Sequence, residues 1–294
     1  IYGIDNINNY YSIKLKNNRL KILNKYKNFT FKKINLSNKP KLAKVFDKNS
    51  FDIIIHLAAQ AGVRYSFTHP EKYLESNIIS FNNILELSRV NSIKNIFFAS
   101  SSSVYGDQKK FPINEDKNLS PVSFYGETKV VNEILAKSYA ENFNMNITGL
   151  RFFTAYGPYG RPDMALFKFT KNILENKKIE LFNNGNHSRD FTYIDDVIDG
   201  ISTLIKKPNK KQIPFSIFNI GNGNSKKLKE YIKFIEKNLD LKAKIKKLPL
   251  QLADIKKTHS DISNLNLYTG FTPKVSIEVG IKRFIKWYKE YYKC

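Results

Sequence analysis

The sequence predicts an α/β protein: a parallel sheet covered by helices. Short runs rich in β-branched and aromatic residues alternate along the chain with stretches of helical apolar spacing. No repeat of about 20–50 residues breaks that alternation. At 294 residues, the chain is long enough to bury a real core, as one large α/β unit or as two unequal domains.

Taken in order, Ile1-Tyr2-Gly3-Ile4 reads as a strand ending at Asp5, and 51–57, 96–99, 147–153 and 215–220 read as further buried strands. Between them, 77–90 and 127–142 read as helices; in the second, Val130, Val131, Ile134, Leu135 and Ser138 keep helical spacing. Around Gly157-Pro158 the character changes. From there 165–176 reads as a helix, 179–182 as a strand, Asn183-Asn184-Gly185-Asn186 as a turn and 195–206 as a helix. The stretch 215–221 reads as a strand returning to the main sheet, and 277–292 as a final helix. The expected division is therefore 1–157, joined by the strand near 215–221, and a smaller interleaved domain over 158–294.

Hydrophobic residues at 41% and charged residues at 26% are ordinary for a soluble globular protein. The longest apolar run, Ile53-Ile54-Ile55-His56-Leu57-Ala58-Ala59, is strand-length and well short of the roughly 20 residues of a membrane helix. No signal peptide is read, and a single cysteine, Cys294, forms no internal disulfide, so a cytoplasmic location with no membrane partner is expected. The net charge of +23 is carried by lysines scattered along the whole chain rather than gathered in a stripe. Nucleic acid is therefore not the expected partner, whereas a diffuse positive field favours an anionic substrate. The first residue is Ile1, and the sequence is expected to begin inside the gene product.

Asp5 stands where a dinucleotide fold places an acid for the adenosine ribose, with a glycine-rich loop expected about 20 residues upstream. Alone it reads equally as a turn residue or helix cap. In Tyr125-Gly126-Glu127-Thr128-Lys129, the spacing puts Tyr125 and Lys129 on one helical face. There an ammonium favours ionisation of a phenol whose ordinary pKa, about 10, is too high for a base at neutral pH. Tyr10/Lys14 and Tyr105/Lys109 share the spacing and read as surface or turn residues. Context selects Tyr125: the strand ending at Ala99 runs into Ser100-Ser101-Ser102-Ser103-Val104-Tyr105-Gly106. That puts hydroxyls at the carboxyl end of a parallel strand, where open sheets bind ligands. A polar loop is the plain alternative for the serines taken alone.

These motifs, with His56-Leu57-Ala58-Ala59-Gln60-Ala61-Gly62-Val63-Arg64 and Arg189-Asp190-Phe191-Thr192-Tyr193-Ile194-Asp195-Asp196, resemble in order those of extended short-chain dehydrogenases/reductases. Leu150-Arg151-Phe152-Phe153-Thr154-Ala155-Tyr156-Gly157-Pro158 with Arg161-Pro162-Asp163-Met164 is similar to the UDP-glucuronate 4-epimerases of that family. The resemblance covers nearly the whole chain. It implies a Rossmann-type doubly wound NAD-binding domain over 1–157, its first strand and helix missing, with a UDP-sugar-binding domain mainly in 158–294.

It also implies roles. Tyr125 is the acid/base, Lys129 its partner and a nicotinamide-ribose ligand, and Ser101 the hydroxyl completing the triad; Ser102 and Ser103 lie near the sugar. NAD is met by Asp5, Asn35, Leu57, Ala58, Ala59, Asn77 and Phe152 besides Tyr125 and Lys129, with Asn77 bracing the pyrophosphate loop. Arg189 takes the UDP phosphates, a bidentate task suited to a guanidinium, and Asp254 the uridine ribose. For Arg189 alone, a surface ion pair with Asp190 is the plain reading. Thr154 replaces the asparagine of galactose epimerases and, with Ser102, Ser103 and the nearby Arg161, offers hydrogen bonds to a sugar carboxylate; Arg161 also reads as a loop residue between domains. No metal site is read. A homodimer through helices beside the catalytic tyrosine helix is implied as well.

Three departures qualify this. Asn35 replaces an aspartate, Leu252-Ala253 replaces Pro-Gly before Asp254, and the glycine loop whose amides cradle the pyrophosphate is missing, which puts NAD binding in doubt. Ser103 stands where dehydratases and UDP-glucuronate decarboxylases carry an acid, which favours simple C4 epimerisation through a 4-keto intermediate. UDP-glucuronate to UDP-galacturonate, for surface polysaccharide synthesis, is the expected reaction. A neutral or N-acetylated UDP-sugar, decarboxylation, or a catalytically silent Rossmann binding protein are the alternatives.

Overall fold

The computed structural model describes residues 1–207, 214–251 and 253–294, so Leu252 lies outside the described residues. In chain order the strands are β1 (Tyr2–Asp5), β2 (Thr30–Lys33), β3 (Ile53–His56), β4 (Asn95–Ser101), β5 (Asn146–Phe152) and β6 (Thr154–Tyr156). They continue with β7 (Lys178–Leu181), β8 (Ser188–Tyr193), β9 (Phe215–Ile220), β10 (Ser225–Lys227) and β11 (Lys244–Lys247). The chain divides into two compact units. The first holds Ile1–Gly106, Asn118–Arg151 and a returning segment that ends at Phe218; the second holds Asp107–Lys117, a stretch starting at Phe152, and Asn219–Cys294.

In the first unit β1 pairs parallel with β2, Asp5 opposite Lys33. A four-stranded sheet has the order β3-β4-β5-β9, with β3 and β4 parallel. A parallel neighbour needs a crossover of a dozen residues or more, and the helical stretch from Tyr65 to Val90 supplies it. Phe81 and Leu85 of the helix Ser80–Val90 and Ala136 and Ala140 of the helix Phe124–Phe143 bury Ile96 and Phe98 of β4 and Ile147 of β5. A second cluster around Leu42, Phe46, Ile84 and Leu87 receives Ile4 of β1 and Ile54 of β3. On the other side of β3, Ile53, Ile55 and Leu57 are exposed. This is the α/β parallel architecture read from the sequence.

The helix Phe124–Phe143 forms where the spacing predicted one, but it turns its polar face inward. Thr128, Lys129, Asn132 and Glu133 are buried with Ala136 and Ala140, whereas Val131 and Ile134 are exposed, Ile134 to 62%. Of the apolar residues that announced the helix, Leu135 packs against the core, whereas Val131 and Ile134 face away from it. Tyr105, read as a surface or turn residue, does end a 3₁₀ turn, Ser102–Tyr105, but it is fully buried rather than on the surface, its hydroxyl and ring both meeting the Arg151 guanidinium.

In the second unit, β6 and β10 flank β8, parallel and antiparallel respectively, and β11 pairs parallel with β7. The core beneath them gathers Phe167, Phe169 and Ile173, Phe191, Tyr231 and Ile235, and Phe284 and Ile285. The turn read at 183–186 has Asn183 and Asn184 in left-handed backbone, a conformation asparagine tolerates better than most residues.

Candidate active site

In the first unit, Ser123 caps the long helix by accepting from the Gly126 amide at 3.1 Å, which fixes where the helix starts and so where Tyr125 stands. Tyr125 meets the buried Tyr73 edge-on, ring centroids 6.1 Å apart. One turn on, the Lys129 ammonium lies 6.0 Å from the Tyr125 ring centroid and donates to the Ala99 carbonyl at 2.8 Å. Ala99 lies two residues before Ser101, so this bond ties the lysine to the strand end that carries the serines. Burial lowers the Lys129 pKa to about 8, against the opposing pull of Glu133. Ser101 is buried at the end of β4 and accepts from the Ser103 amide at 3.2 Å; Ser102 and Ser103 are half-buried on the turn.

The turn reaches its position through Gly106, whose backbone is left-handed at φ 65° and whose Cα faces the Ser120 carbonyl with no room for a Cβ.

Beside this group lies the loop after β3. Leu57 is 51% exposed at the strand's carboxyl end, with Ala58 and Ala59 half-buried behind it. Asn77 holds the loop: its side chain accepts from the Gln60 amide at 2.8 Å and donates to the Gln60 carbonyl at 3.1 Å and to the Thr128 hydroxyl at 3.0 Å. Its own carbonyl accepts from Asn132 at 2.7 Å. Asn77 sits in a π-helical stretch, Leu74–Ile79, where the widened turn aims its amide at the loop. The clasp joins the loop to the helix of Tyr125 and Lys129.

Asp5 ends β1 exposed, accepting from the Ile7 amide at 2.6 Å, and Asn35 donates to Glu75 at 2.8 Å while accepting from the Ser37 amide at 3.3 Å. An exposed carboxylate at the end of β1, a small-residue loop at the end of β3 and a buried ammonium make a donor and acceptor set suited to a dinucleotide with two ribose diols. Phe152, at the end of β5, belongs to the second unit.

In that unit, Thr154 and Arg161 line one cavity with Gly157, Gly160 and Met164. The Arg161 guanidinium rests on Asp163 at 3.2 Å and on the Met164 sulfur at 3.2 Å. Arg189 donates to the Ser188 and Lys256 carbonyls at 3.0 and 3.2 Å, and Asp254 lies 3.9 Å from the buried His187 imidazole. The chain around 256–258 runs along the start of β8 through Ser188, which brings the Arg189 and Asp254 segments together. Asp190 is buried and takes up the Asn222, Gly223 and Ser260 amides and the Ser260 hydroxyl at 2.6–3.1 Å, pinning the loops beside Arg189. The surface ion pair with Arg189 that the sequence offered for Asp190 is therefore not what the structure shows, and Glu133 and Arg151 were not singled out at all; charges in a lysine-rich chain read as surface.

The sequence profile of the family described as "NAD dependent epimerase/dehydratase family" matches residues 3–221. The chain is 44% identical to Protein CapI of Staphylococcus aureus, covering 100% of this chain and 92% of that protein. It is 42% identical to UDP-glucuronate 4-epimerase 5 of Arabidopsis thaliana, covering 99% of this chain and 70% of that one. Among solved structures, the UDP-glucuronic acid 4-epimerase from Bacillus cereus in complex with UDP-glucuronic acid and NAD superposes with a TM-score of 0.93 at 33% identity, over 99% of this chain and 91% of that one.

Proposed function

The chain belongs to the NAD dependent epimerase/dehydratase family, as a nucleotide-sugar 4-epimerase using NAD, and we propose that its substrate is UDP-glucuronate, converted to UDP-galacturonate. The observation that carries the reading is the grouping of Tyr125, Lys129 and the serine turn at the carboxyl end of β4, with Ser103 rather than an acid at the turn. With no carboxyl there to drive elimination, the reading is C4 inversion.

Asp5, Asn35 and the loop of Leu57, Ala58 and Ala59 would hold NAD, with Asn77 bracing the loop and Lys129 and Phe152 as further contacts. When bound it would supply hydride transfer from and back to the sugar C4, so that no net oxidation occurs.

Tyr125 takes the proton from the C4 hydroxyl and later gives it back. Lys129, cationic below its pKa of about 8, lowers the cost of the phenolate, and Ser101 hydrogen-bonds the reacting oxygen. Ser102 and Ser103 orient the sugar. Thr154 and Arg161 meet its carboxylate, a task that has Arg161 exchange Asp163 for the substrate anion. Arg189 takes the phosphates and Asp254 the uridine ribose.

No described helix is long and apolar enough to cross a membrane, and the exposed Val131 and Ile134, with the exposed Leu74 and Ile79 on the stretch packed against their helix, support a homodimer through these helices.

The test is NMR of the sugar after incubation with UDP-glucuronate and NAD+, with Tyr125→Phe as control. UDP-galacturonate forming with the wild type, and at least about 100-fold more slowly with the variant, is the expected outcome. Turnover of UDP-glucose instead would remove the carboxylate assignment of Thr154 and Arg161 and keep the epimerase.

A further inference from the structure

Behind the serine turn lies a buried charge network that the reaction does not touch. Glu133 follows Lys129 by one helical turn and points into the first unit, where its carboxylate meets two elements at once. The Ser100 hydroxyl donates to Oε1 at 2.5 Å, and the Arg151 guanidinium of β5 grips both oxygens, Nε to Oε1 at 2.9 Å and Nη2 to Oε2 at 2.8 Å. Arg151 also donates through Nη1 to the Tyr105 hydroxyl at 2.9 Å, which closes the network on the end of the serine turn. All four side chains are more than nine-tenths buried.

An ion pair so deep costs more in desolvation than it returns in folding stability, so stability alone is a weak reason for it. Its geometry shows what it can do: it fastens the helix carrying Tyr125 and Lys129 to both ends of the segment carrying Ser101.

Resting on the reading of Tyr125, Lys129 and Ser101 as the reacting group, we propose that Glu133 is a positioning residue for it, holding the serine turn in register with the catalytic helix and placing a carboxylate one helical turn from Lys129. The groups facing Lys129 are Tyr125 and Glu133 from its own helix, the buried His56 from β3 and the Ala99 carbonyl from β4; Arg151 of β5 and Tyr105 of the turn stand behind Glu133. Among them Glu133 is the charge that offsets the burial of the lysine. His56 is neutral at working pH, its pKa pushed to about 3 by burial and by Lys129 itself. Burial disfavours the Arg151 cation, but its bonds to Glu133 outweigh that and hold the guanidinium above its usual range, so it stays charged.

The experiment reads Lys129 directly, by ¹³C NMR of lysine Cε as a function of pH, assigned by difference from Lys129→Met and recorded without substrate. Removing a unit charge about 6 Å away at an effective dielectric near 20 lowers the lysine midpoint by about one to two pH units, the result expected for Glu133→Gln. Glu133→Asp keeps the charge and holds the midpoint within about half a unit of the wild type. In turnover, the alkaline limb of kcat in Glu133→Gln moves down with the lysine while KM for the UDP-sugar changes less than about threefold. A folded Glu133→Gln with an unchanged Lys129 midpoint overturns the proposal.

Should Glu133→Gln not fold, Glu133→Gln with Arg151→Met removes the orphaned cation as well. That double variant must then fold and show a lowered midpoint, by less than the single variant because a cation leaves with the carboxylate; if it fails on either count, the pair is structural only and the proposal falls. A wild type that turns over no UDP-sugar refutes the assigned reaction without touching the lysine titration, so the two failures are told apart.

Discussion

His56 ends β3 with its ring stacked on Phe81, centroids 5.2 Å apart, and burial together with the nearby Lys129 lowers its pKa to about 3. The unfolded chain takes up that proton near pH 6.5 and the folded chain does not, so between about pH 6.5 and 3 the unfolded state binds more protons. Stability contributed by the neutral ring is present above pH 6.5 and is lost toward pH 3, by up to about 1.4 kcal/mol per pH unit. Urea unfolding at pH 7, 5.5 and 4.5 is expected to show that slope in the wild type and a correspondingly shallower one in His56→Gln. Equal slopes would mean that the folded ring accepts its proton as readily as the unfolded one. Lys129 acts at the other end of the scale: its folded pKa of about 8 lies below the ordinary 10.5, so the cost of burying its charge is relieved as pH rises between those values. Ala253 is a smaller residue-scale feature. It stands where the family resemblance led us to expect glycine, and its backbone is left-handed at φ 57°, the conformation glycine adopts without penalty.

The serine turn is the element on which the site depends, and Gly106 is where it closes. Both a positive φ and the Ser120 carbonyl stand against any side chain there. Gly106→Ala is expected to destabilise the fold by at least about 2 kcal/mol and to depress kcat more than KM, since the displaced turn carries Ser101 to Ser103. Thermal melting and steady-state kinetics check the two halves separately; a variant with unchanged kinetics would show that the turn does not hold the reacting hydroxyl. Elements of this kind were legible in the sequence to the extent that they are local. The strands β3, β4, β5 and β9 are apolar runs bounded by polar residues, and the i, i+4 relation of Tyr125 to Lys129 follows from helical geometry. Strands such as β11, four residues with three lysines, carry no such signal and exist because β7 offers a partner edge. The π-helical stretch around Asn77 escaped for a related reason: it is selected by the Gln60 and Thr128 groups its side chain reaches, 17 and 51 residues away. Glu133 and Arg151 are 18 residues apart and lie among many other charges, so nothing local marks them as a pair.

At the scale of the whole molecule, two features of the chain pull against each other. A net charge of +23 makes two copies repel, an effect that falls away as salt shortens the reach of the field to about 8 Å at physiological ionic strength. Against this, the inverted helix Phe124–Phe143 presents Val131 and Ile134 to solvent, and the π-helical stretch packed against it presents Leu74 and Ile79. An apolar strip on the helix that carries the proposed catalytic tyrosine is more than scattered surface hydrophobicity, and covering it with the same strip of a second copy is the self-complementary arrangement that most homodimers use. Association driven by apolar burial and opposed by charge should strengthen with salt, whereas association through ion pairs would weaken. Sedimentation at low and moderate salt is therefore expected to show the wild type shifting toward twice its 34.1 kDa mass as salt rises. Ile134→Lys, which removes the most exposed apolar side chain of the strip and adds a positive charge, should stay at the mass of one chain in both conditions while melting close to the wild type. A variant that still dimerises would move the interface off this helix, and a wild type that stays monomeric at every salt concentration would leave the strip without its proposed partner.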